Sequence, residues 1–411
     1  MHTRHKIGRW ATSFTALALA VGLSGCKSPE TGTATGGNSA TGTGTGTSTG
    51  ISKAKPYTGE DILLGEFSSL TGGTATFGQS THNGILMALD EINAKGGVLN
   101  KKVRVQVEDD GSKTDQVAPA IQKLINQANV LAIIGEVASS NSLAAAPLCQ
   151  EAGVPMLSPA STNPEVTKKG DYIFRTCFID TFVGTAMAKF ALTDLKAKTA
   201  AVLTDSSSDY SKGLTEFFVK GFEDNGGKIV ATADYTQGDT EFRAPLTKIK
   251  AAKPDVIFVP GYYTEVANIA VQARSQGINQ PMLGSDGWDS PELFKIGKAA
   301  VQGSYISNHY SPDSKDPRVV KFVADYKKRN EGQTPDALAA VAYDAAYIMV
   351  DAIRRAGDTD REKIRDALAA TKNFAGVTGT ITMDENRDAQ KPLTILQIQG
   401  DGYKFVTTVK P

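Results

Sequence analysis

The chain reads as an α/β protein of two doubly wound lobes joined by crossover strands. Three observations lead there. From Asp61 onward, short β-branched runs alternate with amphipathic segments, the pattern of a parallel sheet with helices on its faces. The roughly ten strands this yields are too many for one sheet that must also carry three successive helices after Tyr305, so two sheets are expected. The 411 residues, 40% hydrophobic and 21% charged, suffice to bury a core in each lobe.

The elements follow in order. Ile62 to Phe67 is the first strand, and Ile85, Leu89 and Ile92 then recur at helical spacing until Gly96-Gly97 stops the helix. Val103 to Val107 is the second strand. Val117, Ile121, Leu124, Ile125 and Ala128 mark the next helix, followed by the buried strand Val130 to Ile134 and a helix beginning near Ser139. A second set repeats the pattern, with strands at Ala200 to Leu203, Ile229 to Ala233, Val256 to Val259 and Met282 to Leu283, and helices near 210–224, 242–252 and 264–276. Three late helices, about 315–330, 337–355 and 360–371, precede short strands that run to the end. In sheets of this kind ligands bind outside the C-terminal ends of the strands.

The N-terminus has a different character. Residues 1–25 carry Arg4, Lys6 and Arg9, then an uncharged run from Trp10 to Leu23, then Ser24 and Gly25. This is a basic region, an apolar region and a processing site, and the apolar run falls short of the roughly 20 residues a permanent membrane span needs. Leu23-Ser24-Gly25-Cys26 resembles the lipobox of bacterial lipoproteins, which implies lipidation of Cys26, cleavage just before it, and a membrane anchor. Loss of residues 1–25 leaves 41 Lys+Arg (44 less three) against 44 Asp+Glu, a net charge of about −3. Residues 27–56 contain seven Gly, eight Thr and four Ser, with Ile51 the one large aliphatic side chain, so residues 26–56 read as a lipidated cysteine and a flexible linker.

Composition and motifs exclude several functions. No basic run is interleaved with aromatics, so nucleic acid is not an expected partner. Three cysteines and four histidines leave little for a disulfide framework or a metal site. No phosphate loop is present, and the Gly42, Gly44, Gly46 repeat does not follow a strand. Gly78-Gln79-Ser80-Thr81-His82 lacks the final glycine of a nucleophile elbow. Asp384-Glu385-Asn386-Arg387-Asp388 opens like a calcium loop, but Ala389 and Ile395 occupy its glycine and glutamate positions, which leaves a solvated turn. Cys149 and Cys177 are read as small buried hydrophobes, with a disulfide between them left open. The chain is therefore expected to have neither a catalytic constellation nor a cofactor.

Four stretches carry a resemblance. They are Asp90-Glu91-Ile92-Asn93-Ala94-Lys95-Gly96-Gly97-Val98, Gly135-Glu136-Val137-Ala138-Ser139-Ser140-Asn141-Ser142, Val154 through Pro164, and Tyr172-Ile173-Phe174-Arg175-Thr176. From about Asp61 to the C-terminus the chain resembles the branched-chain amino acid binding proteins of ABC transporters, of the type I periplasmic binding fold. The resemblance implies a monomer that captures an amino acid and presents it to permease subunits. It also implies lobes at 57–178 with 309–388 and at 179–308 with 389–411, crossing near residues 178, 308 and 389.

The site residues follow from the same resemblance. Ser139, past a strand at a helix N-terminus, offers a hydroxyl and free N–H groups to a carboxylate. Ala160, Ser161 and Thr162 are implied to contact the ligand's head group. Tyr262 and Asp286 match positions that meet its ammonium, for which a carboxylate is the suitable partner. Phe77, Asp180, Tyr210 and Tyr343 are implied to line the cleft. Two departures stand out: Ser112 and Ala138 replace a cysteine pair found in some relatives, and Phe77 replaces a tyrosine or tryptophan. A sensor for an amide, urea or γ-amino acid is the rival binding function, and an extracytoplasmic hydrolase the rival from another class.

Overall fold

The computed structural model describes residues 51–411, so the leader, Cys26 and most of the linker lie outside the described residues. The first sheet is built from β1 (Ile62–Ser68), β2 (Val103–Asp109), β3 (Ile133–Ile134), β4 (Met156–Ser158) and β5 (Ile173–Arg175). It is parallel throughout, in the order β2-β1-β3-β4-β5. Between these strands run α1 (Ala75–Ala94), α2 (Thr114–Gln122) and α3 (Ser139–Ala152). Every residue of β3, β4 and β5 is buried, Ser158 and Arg175 included, so these short strands lack the alternation of a half-exposed sheet.

The chain then enters a second sheet through α4 (Asp180–Thr193), β6 (Thr199–Asp205), α5 (Asp209–Asp224), β7 (Lys228–Tyr235), α6 (Arg243–Ala252), β8 (Val256–Phe258), α7 (Tyr263–Ser275), β9 (Met282–Gly284), α8 (Pro291–Gly297) and β10 (Tyr305–Asn308). It returns to the first sheet with α9 (Pro317–Arg329), α10 (Ala337–Ala356) and α11 (Arg361–Ala369), and passes through a small antiparallel sheet of β11 (Phe374–Gly376), β12 (Gly379–Met383) and β13 (Ala389–Gln390). It ends on β14 (Leu393–Gln399) and β15 (Gly402–Val409), which pair antiparallel to the edge of the second sheet, ordered β15-β14-β10-β9-β8-β6-β7.

Both sheets therefore share one winding, with the second strand outside the first and the third on its other side. That reversal opens a crevice beyond the C-terminal ends of the strands, β1/β3 in one sheet and β6/β8 in the other. Helices cover both faces of the first sheet. Ile85, Leu89 and Ile92 of α1 pack with Met349 and Ile353 of α10 on one face, and Ile121 of α2 with Leu148 of α3 on the other.

The expected alternation is present, with β4, β5, α8 and β10 added to it and two readings revised. Helix α4 escaped the pattern because Val183, Ala186, Met187, Ala188, Phe190 and Ala191 are all buried, so it has little polar face to give a period. Residues 51–56 are not a free linker: Ile51 is buried beside Ala152, Ala54 N–H donates to the Ala152 carbonyl (3.0 Å), and Arg361 Nη1 donates to the Lys55 carbonyl (2.6 Å). The single aliphatic residue of that segment is what docks it. Cys149 and Cys177 are both free and buried, and burial pushes both thiols up, Cys177 to about 12.

Candidate ligand cleft between the two sheets

The turn that follows β3 is held by buried acids. Glu136 accepts the backbone N–H (3.0 Å) and the hydroxyl (3.0 Å) of Ser69 and the N–H of Ala138. Asp110 Oδ1 lies 2.7 Å from the same Ser69 hydroxyl, and Asn141 Nδ2 donates to Asp110 Oδ2 (3.0 Å). Burial, with the charge of Asp110 adding to it, pushes Glu136 up to about 8. The neighbouring loop is tied without a disulfide: Ser112 Oγ donates to the Thr71 carbonyl (2.7 Å) and accepts the Thr74 N–H (3.1 Å).

This frame sets Ser139 as the first residue of α3, fully buried, with Ala138 at the cap position. Its hydroxyl accepts the Asn163 N–H (3.3 Å), so it braces the loop after β4 rather than capping its own helix. Ser161 does the same from the other side. Its Oγ lies 2.9 Å from the Glu136 carbonyl, 3.0 Å from that of Val137 and 2.7 Å from Ser142 Oγ. The sequence-based placement of Ser161 at the ligand is thus corrected for its hydroxyl, which is consumed in holding two loops together. Arg175, fully buried, donates from Nη1 to the Ser161 carbonyl (2.6 Å) and pairs with Asp388 (2.7 Å), joining that loop to a chain crossing.

Thr162 and Asp180 have few partners beyond each other. Asp180 N–H donates to the Thr162 carbonyl (2.9 Å), and the buried Thr162 hydroxyl and Asp180 carboxylate face one another with no other hydrogen-bond partner. Burial pushes the Asp180 carboxyl up to about 8; the charge of Asp286 adds to this, while the Thr162 hydroxyl and Arg175 oppose it.

The second sheet supplies an aromatic wall. Tyr262 caps α7, Tyr210 lies in the first turn of α5, and their rings stack at 5.2 Å. Phe77, from α1, meets Tyr262 edge-on at 5.5 Å. Asp286 follows β9, buried, with Oδ1 accepting the Tyr210 hydroxyl (2.9 Å) and Oδ2 lying 3.0 Å from His309 Nε2. Burial raises both tyrosine hydroxyls well above their ordinary range, so they act as neutral donors.

Phe77, Ala160, Tyr210, Tyr262 and Asp286 together line a small cavity of about 10 Å³, room for roughly one water, where loops of the two sheets meet. Val137, Gly287 and Leu338 complete the lining without having been singled out in the sequence. Val137 lies inside a motif already read for its serines, and Leu338 opens a helix whose partner was invisible. Tyr343 is a correction. Its hydroxyl donates to Glu91 (2.9 Å) and its ring packs on Phe322 and Tyr347, because five residues beyond Leu338 along α10 point away from the cavity. His309 entered the sequence reading only as one of four histidines; its place next to a crossing was the available signal. No group of three or more metal-ligating side chains occurs among the described residues.

The cleft can be set beside known proteins. The Leu/Ile/Val-binding protein BraC3 of Rhizobium johnstonii is 31% identical over 81% of this chain and 90% of its own length. A leucine-, isoleucine-, valine-, threonine- and alanine-binding protein of Pseudomonas aeruginosa is 30% identical over 80% of this chain and 87% of its own. Among solved structures, the leucine-binding protein LivK of Thermotoga maritima superposes with a TM-score of 0.82 at 41% identity, covering 85% of this chain and 99% of LivK. The branched-chain amino acid transporter substrate-binding protein LivJ of Streptococcus pneumoniae, solved with isoleucine, gives 0.81 at 33%, covering 85% and 100%. The profile of the family described as periplasmic binding protein spans residues 61–403, and with these relatives it establishes that the chain belongs to that family of non-enzymatic solute binders.

Proposed function

We propose that the protein is an extracytoplasmic solute-binding lipoprotein that captures an α-amino acid with an apolar, branched side chain and delivers it to an ABC importer. The observation that carries the reading is chemical. One cavity joins a buried carboxylate, Asp286, to an apolar and aromatic wall, and Ser139 and Thr162 each stand two residues along the chain from a lining residue, Val137 and Ala160. A zwitterion with a hydrocarbon side chain satisfies all three at once. In this reading the ammonium meets Asp286, the Ala160 carbonyl and Thr162, and the carboxylate meets Ser139, Thr162 and the N-terminus of α3. Asp180 adds negative potential from behind, and Phe77, Tyr210 and Tyr262 with Val137 and Leu338 enclose the side chain.

The relatives described above as binding leucine, isoleucine and valine support the same ligand class. Residues 57–178 with 309–388 would form one lobe and 179–308 with 389–411 the other, closing on the ligand about the crossings near 178, 308 and 389. A lipid on Cys26 would hold the monomeric body at the membrane beside its permease. Isothermal calorimetry with leucine, isoleucine, valine, glutamate, benzoate, urea and acetamide tests the ligand class. Tight binding confined to the branched-chain amino acids is expected. Binding of an amide, urea or benzoate in their place would overturn it.

A further inference from the structure

Asp286 is the group to which the functional reading above assigns the ligand's ammonium, and the following rests on that reading. A carboxylate held through one oxygen can still swing about its last bond. Here Oδ1 accepts from Tyr210 (2.9 Å) and Ser285 (3.0 Å), while Oδ2 meets His309 Nε2 at 3.0 Å. The His309 ring is 2% exposed and stacks on Phe178, with centroids 3.9 Å apart and planes 20° from parallel. Phe178 follows β5 and His309 follows β10, so each ring lies on a different crossing between the two sheets.

The imidazole is suited to this place in a way that lysine or arginine would not be. Its Nδ1 is buried with no hydrogen-bond partner, which is tolerable for a lone pair and costly for an N–H, so the proton belongs on Nε2, directed at Asp286. Burial holds the ring below its ordinary titration range, the nearby Lys391 ammonium acts in the same direction, and Asp286 opposes both. A neutral donor fixes the plane of the carboxylate without cancelling the charge that the ammonium needs.

We propose that His309 is a positioning residue, which aims Asp286 at the ligand's ammonium and, through its stack on Phe178, ties that aim to the arrangement of the two crossings. Three variants of the purified protein separate donor, ring and carboxylate, with leucine affinity read by calorimetry and folding by thermal melting. His309→Phe keeps the stack and removes the donor, and should weaken leucine binding about 10-fold or more. His309→Gln restores an N–H within reach of the same oxygen and should stay within about 3-fold of the parent protein. Unchanged affinity in His309→Phe, or equal losses in both variants, would overturn the assignment. Asp286→Ala distinguishes the two levels. If it leaves affinity untouched, Asp286 is not at the ammonium and the proposal falls with that reading. If it weakens binding while His309→Phe does not, the role of His309 alone is refuted.

Discussion

At the scale of single residues, the cleft is bordered by buried acids that keep their protons above the ordinary carboxylate range. Asp180 holds its proton up to about pH 8 in the empty protein, and Glu136 does likewise beneath the turn before α3. The unfolded chain loses these protons near pH 4. The folded state binds more protons across that window, so stability should fall as pH rises from about 4 through about 8. Asp180→Asn, which imitates the protonated carboxyl, should flatten the fall in thermal melts of the ligand-free protein at pH 5, 7 and 9; a slope identical to the parent would speak against the buried state of Asp180. An ammonium brought beside Asp180 reverses the preference and expels its proton. Calorimetry with leucine at pH 7 should show proton release through different apparent enthalpies in phosphate and Tris, a difference that Asp180→Asn removes. Asp286→Ala is expected to weaken leucine binding by about 10- to 150-fold, the loss of one charged hydrogen bond in a dry cleft, with little change in melting temperature.

At the scale of elements, the cavity depends on how closely helices approach. Phe77 and Leu338 reach it from α1 and α10, and these helices meet at Gly84, where a side chain would place its Cβ 2.2 Å from the Ala339 carbonyl. Gly84→Ala should therefore cost about 1 to 3 kcal/mol in urea unfolding through overpacking, and the helices that move apart carry two walls of the site. An unchanged denaturation midpoint would mean the helix pair has slack that the packing does not suggest. The start of α10 is also fixed from two directions: the Asp336 side chain accepts the Ala339 N–H (2.9 Å), and Asp289, which follows β9, accepts the Ala337 N–H (2.8 Å). Helices α1, α2, α5, α6, α7, α9, α10 and α11, and the start of α3, were legible from the spacing of their apolar residues and from their flanking signals. Helix α4 was not, because its buried alanines and glycine erase the period, and Tyr343 could not be excluded from the cleft until the rotation of α10 was known.

At the scale of the whole molecule, the loops of the two sheets are joined by direct hydrogen bonds. Ser140 Oγ donates to Asp209 (3.0 Å), Asn163 Nδ2 donates to the Asp209 carbonyl (2.8 Å), and the hydroxyls of Thr76 and Ser290 lie 2.9 Å apart. Apolar contacts join them, Phe77 on Tyr262 among them, and a ligand that bonds both sides would shift a balance between open and closed states. Small-angle scattering should record a smaller radius of gyration at saturating leucine, with backbone change concentrated near 176–181, 307–310 and 388–391. The same radius with and without ligand, in a protein shown to begin open, would contradict hinge closure. The proposed lipid on Cys26 is independent of the cleft, so Cys26→Ser should abolish acyl-lipid labelling while leaving leucine affinity unaltered.

The alternation of strand and helix, the expectation of two sheets, and the loops after β3 and β9 were legible in the sequence, because period, turn residues and apolar runs are local quantities, whereas the loop after β4 was marked only through the resemblance. The same local chemistry marked Ser139 and, through the resemblance, Asp286. Only the tertiary structure decided that the Ser161 hydroxyl braces a loop, that Tyr343 faces Glu91, that Ile51 docks on the body, and that His309 meets Asp286 across 23 residues of chain. Each of these depends on which groups compete for one buried hydrogen bond or one apolar gap. That competition is settled by partners far apart in the chain, and no spacing along the sequence encodes it.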